Sequence, residues 1–494
     1  MRYRAINVRS QLRLASNPSA NHGFARRPIQ WTLATCLIAL ALVSPGCNVF
    51  GFLPVDDTSV KTAFLRWNQI ATDASGLDHT PPKAGETRNF KEQVGPCRAS
   101  RAMAIVHIAM FDSVVAIAGG FDSYTGIDPA PVGASIAAAI AQAAHDTLAS
   151  LFPAQTSIFD NNLTDDLAAI PDSTSKTDGI NTGKAAAAAI LAQRTNDGSE
   201  IDDPYTFNTD PGYWRVDPIN PTQTPLNPNW FRVKPFAINS ATQFRAPAPP
   251  AMTSAEYTTA YNEAKSVGGD GITTPTTRTE EQTQIGNFWA YDGTPSLCAP
   301  PRLYNQITRQ IASDQGTNGM EQARLLTLVN IAMADAGIAV WESKYYYNLW
   351  RPVSGIREGD LDGNADTAID ATYVPLCAPA SNLAGANFTP PFPAYPSGHA
   401  GFGGALFETL RNFYGSDDIG FTFTSDEYNG VTVDNLGNVR PLLPRSFTTL
   451  SQAEEENGQS RIYLGIHWSF DKTEGIAIGN NVADHVFSNV YQAN

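Results

Sequence analysis

Three short stretches of the sequence carry residues whose types and spacing suit the capture of an oxyanion. In "KYYYNLWRP", Lys344 and Arg351 stand seven residues apart. Two helical turns of that length would put both cations on one face, inside a segment that also holds Trp341, Tyr345, Tyr346, Tyr347 and Trp350. In "PSGHA", Ser397, Gly398 and His399 follow a proline where a helix is expected to begin. Outward-pointing amides of Gly398 and His399, together with the Ser397 hydroxyl, favour an anion there by geometry and by dipole. His399 would then sit above the anion as a general acid or base. In "SRIYLGIHWSFD", Arg461 offers a planar fork of donors. His467 and Asp471 are four residues apart, so one helical turn lets the carboxylate orient the imidazole.

Each cluster alone has a plainer reading: a solvated helix face, an ordinary N-cap beside a buried histidine, a structural His–Asp pair. Together they gather one Lys, two Arg, a Ser, two His and a backbone nest, and a bound oxyanion would offset the repulsion among those cations. The chain as a whole is acidic, with a net charge of −15. Nucleic acid and anionic lipid are therefore unsuitable partners, and an anion site must be a local concentration of basic residues.

The elements that position these clusters are helical. "RASRAMAIVHIAMFDSVVAIA", "ASIAAAIAQAAHDTLASLF" and "GKAAAAAILAQR" are alanine-rich and apolar on several faces, as helices inside bundles are. His107 and His145 on them read as core histidines. Residues 196–252, dense in Pro, Asn, Asp and Trp, read as an extended ordered loop. A second helical block follows from about Thr277. Its longest element has Leu325, Leu328, Ala332, Met333, Ala336 and Val340 at helical spacing, with Asn318 and Glu321 as a capping box. Phe402, Leu406, Leu410 and Phe413 line the helix behind "PSGHA", which Gly415 stops. A last helix is expected from about Thr473 to Tyr491. "GVTVDNLGNVRPLL" reads as a small hairpin, and "DLDGNADTAID" (Asp360–Asp370) as a solvated acidic loop, its glycine misplaced for a calcium loop. The class is mainly α.

Residues 1–47 read as an export signal: Arg26 and Arg27, then the apolar "WTLATCLIALALVS", then "PGC". Cys47 after Gly46 resembles a bacterial lipoprotein cleavage site. No other segment reads as long and apolar enough to span a bilayer, and the mature chain is expected to lack a transmembrane segment. Cys97, Cys298 and Cys377 are too widely spaced for a zinc or disulfide framework, and which of them might pair is open. The expected organisation is a signal (1–47), a tether and first helices (48–95), an N-terminal helical bundle with a long Pro-rich loop (96–275) and a C-terminal bundle carrying the site (276–494).

The pattern K-x6-RP, PSGH, SR-x5-H-x3-D resembles the signature shared by type 2 phosphatidic acid phosphatases and vanadium-dependent haloperoxidases. "DAGIAVWESKYYYNLWRPVSGIR", "PPFPAYPSGHAGFGGALF", "NFWAYDG" and "PPRLYNQITRQI" are similar to the haloperoxidase branch, most of all to vanadium chloroperoxidases. The resemblance implies vanadate as cofactor. Lys344, Arg351 and Arg461 would hold its equatorial oxygens, with Ser397 and the Gly398 amide hydrogen-bonded to it. His467 would bind vanadium, and His399 would serve the axial oxygen and bound peroxide. It also implies that Asp292 pairs with a vanadate-binding Arg, and that Trp341 and Phe392 line a halide pocket. The expected reaction is oxidation of halide by hydrogen peroxide to hypohalous acid, which small organic acceptors consume; Lys344 would polarise the peroxide. Two other readings stand beside it: an acid phosphatase of the same superfamily with His467 as nucleophile, and a non-catalytic anion-binding protein of the envelope. Trp341 and Phe392 speak against the phosphatase, because ester hydrolysis has no use for a halide pocket.

Overall fold

The computed structural model describes residues 56–494. The signal read in residues 1–47, with Cys47, lies outside them.

Helices dominate, for the reason the composition suggests: long runs of Ala, Leu, Ile and Val are interrupted by Pro and Gly at the ends. In order they are α1 (Asp57–Asp78), α2 (Gly95–Ala118), α3 (Ile136–Leu151), α4 (Thr156–Ala168), α5 (Thr174–Gln193), α6 (Ala255–Gly268) and α7 (Glu280–Phe288). Then come α8 (Pro300–Asp314), α9 (Gly319–Tyr347), α10 (Pro352–Arg357), α11 (Gly398–Tyr414), α12 (Leu450–Tyr463) and α13 (Ser469–Asn489). Strands β1 (Phe421–Phe423) and β2 (Arg445–Phe447) pair antiparallel, Phe421 opposite Phe447.

Helix α9 is the axis of the molecule. It is buried along almost its whole length and packs against α1, α2, α8, α11 and α13. Apolar residues on every face require such burial. Its start is held twice: Asn318 accepts the Glu321 amide, and Asp57 of α1 accepts the Gly319 and Met320 amides. The Asn318 half of the expected capping box thus forms, with Asp57 as a further acceptor. Helices α2, α3 and α5 make one layer on one side of α9; α11 and α13 pack together on another. Glycines let these last two approach closely. A Cβ on Gly479 would lie 2.2 Å from the Gly401 carbonyl oxygen, and one on Gly475 2.6 Å from that of Ser397.

Several expectations are corrected. Within 48–95, read as tether and first helices, residues 57–78 form a 22-residue helix, because Val60, Phe64, Trp67 and Ala71 recur at helical spacing and are buried. Helices α2 and α9 are both long and apolar enough to cross a membrane by length and composition, contrary to the reading of the sequence; both are buried within the fold. His107 is a core residue, but His145 is half-buried and bridges Asp146 and Asp160. The expected hairpin forms only two isolated bridges, Asn429–Leu442 and Val433–Val439, and the regular strands flank it. Val431, Leu436, Val439 and Leu442 are exposed, and only Thr432 and Arg440 are buried, so little apolar surface holds a register. Cys97, Cys298 and Cys377 are all free and buried. Among the described residues no group of three or more His, Cys, Asp and Glu is arranged to hold a metal ion; in the acidic loop 360–370, Asp362 accepts from Asn364 and Thr367. Residues 196–252 are the ordered loop expected, with one short 3-10 turn, Trp230–Arg232.

Candidate active site

The first cluster is built differently from the sequence expectation. Helix α9 stops at Tyr347, where Asn348 turns left-handed (φ 53°) and returns its amide to the Lys344 carbonyl. Lys344 and Arg351 therefore do not share a helical face. Arg351 lies in the extended link before α10, where Trp350 donates to the Gly212 carbonyl and Trp214 to that of Asn348. The Pro-rich loop pulls the chain out of the helix, and the two cations still converge.

Both are deeply buried. Lys344 Nζ donates to the carbonyls of Pro393 (2.8 Å) and Ala394 (2.9 Å), leaving its third N–H. Arg351 Nε donates to Phe392 O (2.9 Å), and Nη1 to Ile466 O (2.8 Å) and to His467 Nε2 (2.9 Å). Guanidinium can only donate, so His467 Nε2 is an acceptor and its proton sits on Nδ1. That proton faces Asp471 Oδ2 at 2.7 Å. The same oxygen accepts the Trp468 amide. His467 itself precedes α13 and Asp471 lies in the first turn, so the carboxylate reaches back from a helix start instead of spanning a turn of helix, as had been expected.

Ser397 caps α11, its Oγ accepting the Ala400 amide at 3.5 Å. The hydroxyl hydrogen remains to donate elsewhere. The Ser397 amide donates to the Asp471 carbonyl, tying the second cluster to the third. Gly398 faces the Trp341 ring, which a Cβ would meet at 3.1 Å. His399 Nε2 lies 2.5 Å from the Ala290 carbonyl and must donate to it, which leaves Nδ1 with the lone pair. Tyr304 and Asn457 hold the His399 carbonyl. Arg461 Nη2 donates to Asp292 Oδ1 at 2.6 Å, the pairing implied by resemblance. Asp292 also stands 4.0 Å from His399 Nε2.

These residues meet at one cavity of about 240 Å³. Asp292, Trp341, Phe392, Gly398, His399, Arg461 and His467 line it; Lys344, Arg351, Ser397 and Asp471 pack against those walls. Trp341 and Phe392 stack obliquely, ring centres 4.8 Å apart, and Lys344 Nζ lies 5.1 Å from the Phe392 ring centre. Every sequence-predicted site residue is thus brought together. Sequence reasoning missed Lys91, Gln223 and Leu226 on the opposite wall, Tyr291 next to Asp292, and the holders Tyr304 and Asn457. Tyr291 lies inside the quoted "NFWAYDG" and Tyr304 inside "PPRLYNQITRQI"; nothing local marks the others.

The electrostatics are those of a cationic pit. Burial, then Arg351, pushes Lys344 well below the ordinary lysine range. Burial, with Arg461 opposing its charge, brings Arg351 down to about 9. Burial holds His399 and His467 well below 6.5, helped by Arg461 for the first and Arg351 for the second. Burial pushes Asp292 up and Asp471 up to about 7, against the nearby cations. Among the described residues, Arg351 Nη2, Arg461 Nε and Arg461 Nη1 are buried with no hydrogen-bond partner, as are Asp292 Oδ2 and Asp471 Oδ1. A buried unpaired donor costs about 1–3 kcal/mol, more when charged. Three unpaired guanidinium nitrogens beside an imidazole lone pair match what an oxyanion with a coordinating centre accepts.

Comparison with known proteins gives the family. Residues 324–493 match the VCPO second helical-bundle domain. The chain is 31% identical to vanadium chloroperoxidase of Curvularia inaequalis over 490 residues, covering 82% of this chain and 78% of that protein. Its fold is that of a bacterial vanadium-dependent iodoperoxidase (TM-score 0.68, 24% identity, 89% of this chain and 98% of that one). It is also that of the holo-type bacterial vanadium-dependent chloroperoxidase (TM-score 0.61, 18% identity, 83% and 95%). By sequence identity over four fifths of its length, the chain belongs to the vanadium-dependent haloperoxidase family.

Proposed function

We propose that this chain is a vanadium-dependent haloperoxidase that oxidises bromide and iodide with hydrogen peroxide to hypohalous acid, and that it acts outside the cytoplasm. One observation carries the reading: three buried guanidinium nitrogens stand unpaired beside the His467 and His399 lone pairs, in a pit within an acidic protein. Vanadate would supply a Lewis-acid centre that activates peroxide without changing oxidation state.

The chain's own residues would do the rest. His467 Nε2, now capped by Arg351 Nη1, would ligate vanadium, and Arg351 Nη2 would donate to the oxyanion. Arg461 Nε and Nη1 hold its oxygens, with the Ser397 hydroxyl and the Gly398 amide as further donors. Lys344, held by the Pro393 and Ala394 carbonyls, would offer its remaining N–H to a bound oxygen. His399 Nδ1 takes up and returns a proton, its other nitrogen anchored on Ala290 O. Trp341 and Phe392 exclude water on the side where halide approaches.

The test is direct. Metal-stripped protein loaded with vanadate should brominate a dye in the presence of peroxide, and excess phosphate should suppress this by competing for the same donors. Hydrolysis of phosphate esters by vanadate-free protein, without bromination, would assign the phosphatase reading instead. Activity with chloride in the same assay decides the demanding substrate.

A pH dependence follows from the depressed basic groups. An entering oxyanion adds negative charge and raises the values of Lys344, His399 and His467. The occupied site then holds more protons than the empty one, so binding takes up protons and weakens as pH rises. Above about 9 Arg351 joins the loss. Sulfate is a suitable probe, because its own charge is constant in this range. Calorimetry in two buffers of different ionisation enthalpy should show proton uptake; affinity that holds steady or rises with pH contradicts this account.

A further inference from the structure

The cavity is larger and more apolar than halide oxidation needs. Its 240 Å³ approaches the ~300–1,000 Å³ of pockets that hold drug-sized ligands, and far exceeds one halide ion and one peroxide. The wall away from the oxyanion pit is made of Pro96, Leu226, Phe388, Pro390 and Pro391, flat or apolar surfaces from segments distant in the chain. That wall is fastened. The Leu226 amide donates to Pro391 O, and its carbonyl accepts from Trp341 Nε1 and the Tyr345 hydroxyl. Gly95 (φ 81°) lets the chain pass against Leu226, whose Cδ2 would lie 2.8 Å from a Cβ there.

Two polar groups interrupt this surface. Gln223 Oε1 is buried and has no hydrogen-bond partner among the described residues. Lys91 is exposed; its Nζ lies 5.2 Å from the Phe90 ring centre but forms no ion pair among the described residues, in a chain whose net charge is −15. An unpaired buried acceptor and a cation without an ion-pair partner on one apolar wall describe a ligand: a flat ring, an O–H or N–H donor, and an anionic group.

We propose that this cavity binds the organic acceptor, and that the acceptor is an electron-rich single-ring aromatic acid, its hydroxyl donating to Gln223 Oε1 and its carboxylate paired with Lys91. The inference rests on the proposed halide oxidation for its chemistry but not for its binding. Hypohalous acid is an electrophile, so its partner must be an electron-rich carbon. The ring C–H bond breaks, a carbon–halogen bond forms, and the proton leaves with the hydroxide of the hypohalous acid as water. The ring would lie against the Trp341 and Phe392 side of the pit, so that hypohalous acid meets it before reaching solvent.

The test uses the full chain without vanadate or peroxide, with inorganic phosphate saturating the oxyanion pit so that carboxylates cannot enter it. Calorimetric titration compares 4-hydroxybenzoate with 4-hydroxybenzyl alcohol. Both should bind saturably, the acid about threefold to fivefold tighter, the upper range of an exposed ion pair. Lys91→Glu should abolish or reverse that preference, and Gln223→Leu should weaken both ligands. Lys91 is exposed, so its replacement does not endanger folding. No saturable binding, equal binding of acid and alcohol, or a preference that survives Lys91→Glu overturns the proposal. Failure of the halide-oxidation reading would appear elsewhere, as absent bromination by vanadate-loaded protein with this binding intact.

Discussion

His467→Ala is expected to reduce vanadate-dependent bromination by about a thousandfold or more. Altering only an outer partner of a metal ligand costs roughly 10–100-fold, and this change removes the nitrogen that would ligate vanadium. The variant should still fold. Asp471 keeps the Trp468 amide, and Arg351 Nη1 keeps the Ile466 carbonyl. The stability loss is therefore about that of one or two hydrogen bonds, roughly 1–3 kcal/mol, readable as a modest fall in Tm. Bromination within tenfold of the parent protein, at saturating vanadate, would remove His467 from the role of ligand. A collapsed Tm would make the activity loss uninformative, and His467→Gln, which retains an acceptor for Arg351, then replaces it.

Arg461→Ala should cost both stability and oxyanion affinity. Its Nη2 is the sole partner that pairs the buried Asp292 carboxylate among the described residues, apart from the longer approach of His399. Leaving one member of a buried ion pair unpaired typically costs about 3–5 kcal/mol. The two unpaired nitrogens of Arg461 would each make a charge-assisted hydrogen bond worth about 1.5–3 kcal/mol. Their loss should weaken vanadate binding by at least about a hundredfold. The double variant Arg461→Ala with Asp292→Ala separates the two effects. It should regain most of the stability and none of the affinity. Recovery of vanadate affinity in the double variant would mean that Arg461 acts by neutralising Asp292 and does not touch the oxyanion.

How much of this was legible follows from how locally each feature is encoded. The start of α11 is written in five adjacent residues, and Ser397, Gly398 and His399 take the places expected of them. The His467–Asp471 contact also forms, though the carboxylate reaches it from the first turn of α13 rather than along a helix. The convergence of Lys344 and Arg351 was read correctly for a mistaken reason, since a left-handed Asn348 breaks the helix between them. That break depends on pairing with Gly212 and Trp214, more than a hundred residues earlier, and no local signal announces it. Lys91, Gln223 and Leu226 were invisible for the same reason: each lies in an irregular segment whose position is set by partners far along the chain. First helices were expected within 48–95, but the bounds 57–78 were not read, because Pro, Gly and mixed charge around them obscured a helical apolar face. Asp292 was placed by resemblance alone; its pairing needs the turn after α7 to meet α12.

The glycine contacts between α11 and α13 would bear on which anions the proposed pit could accept. Main chain meets main chain there, with Gly479 against the Gly401 carbonyl and Gly475 against that of Ser397. Long side chains could slide or repack to admit a larger guest, but abutting backbones leave no slack of that kind. The interval between the Ser397–Gly398 donors and His467 is thus gauged by the polypeptide itself. In the proposed site, charge would draw any oxyanion toward the pit, and the rigid gauge would sort arrivals by size and shape.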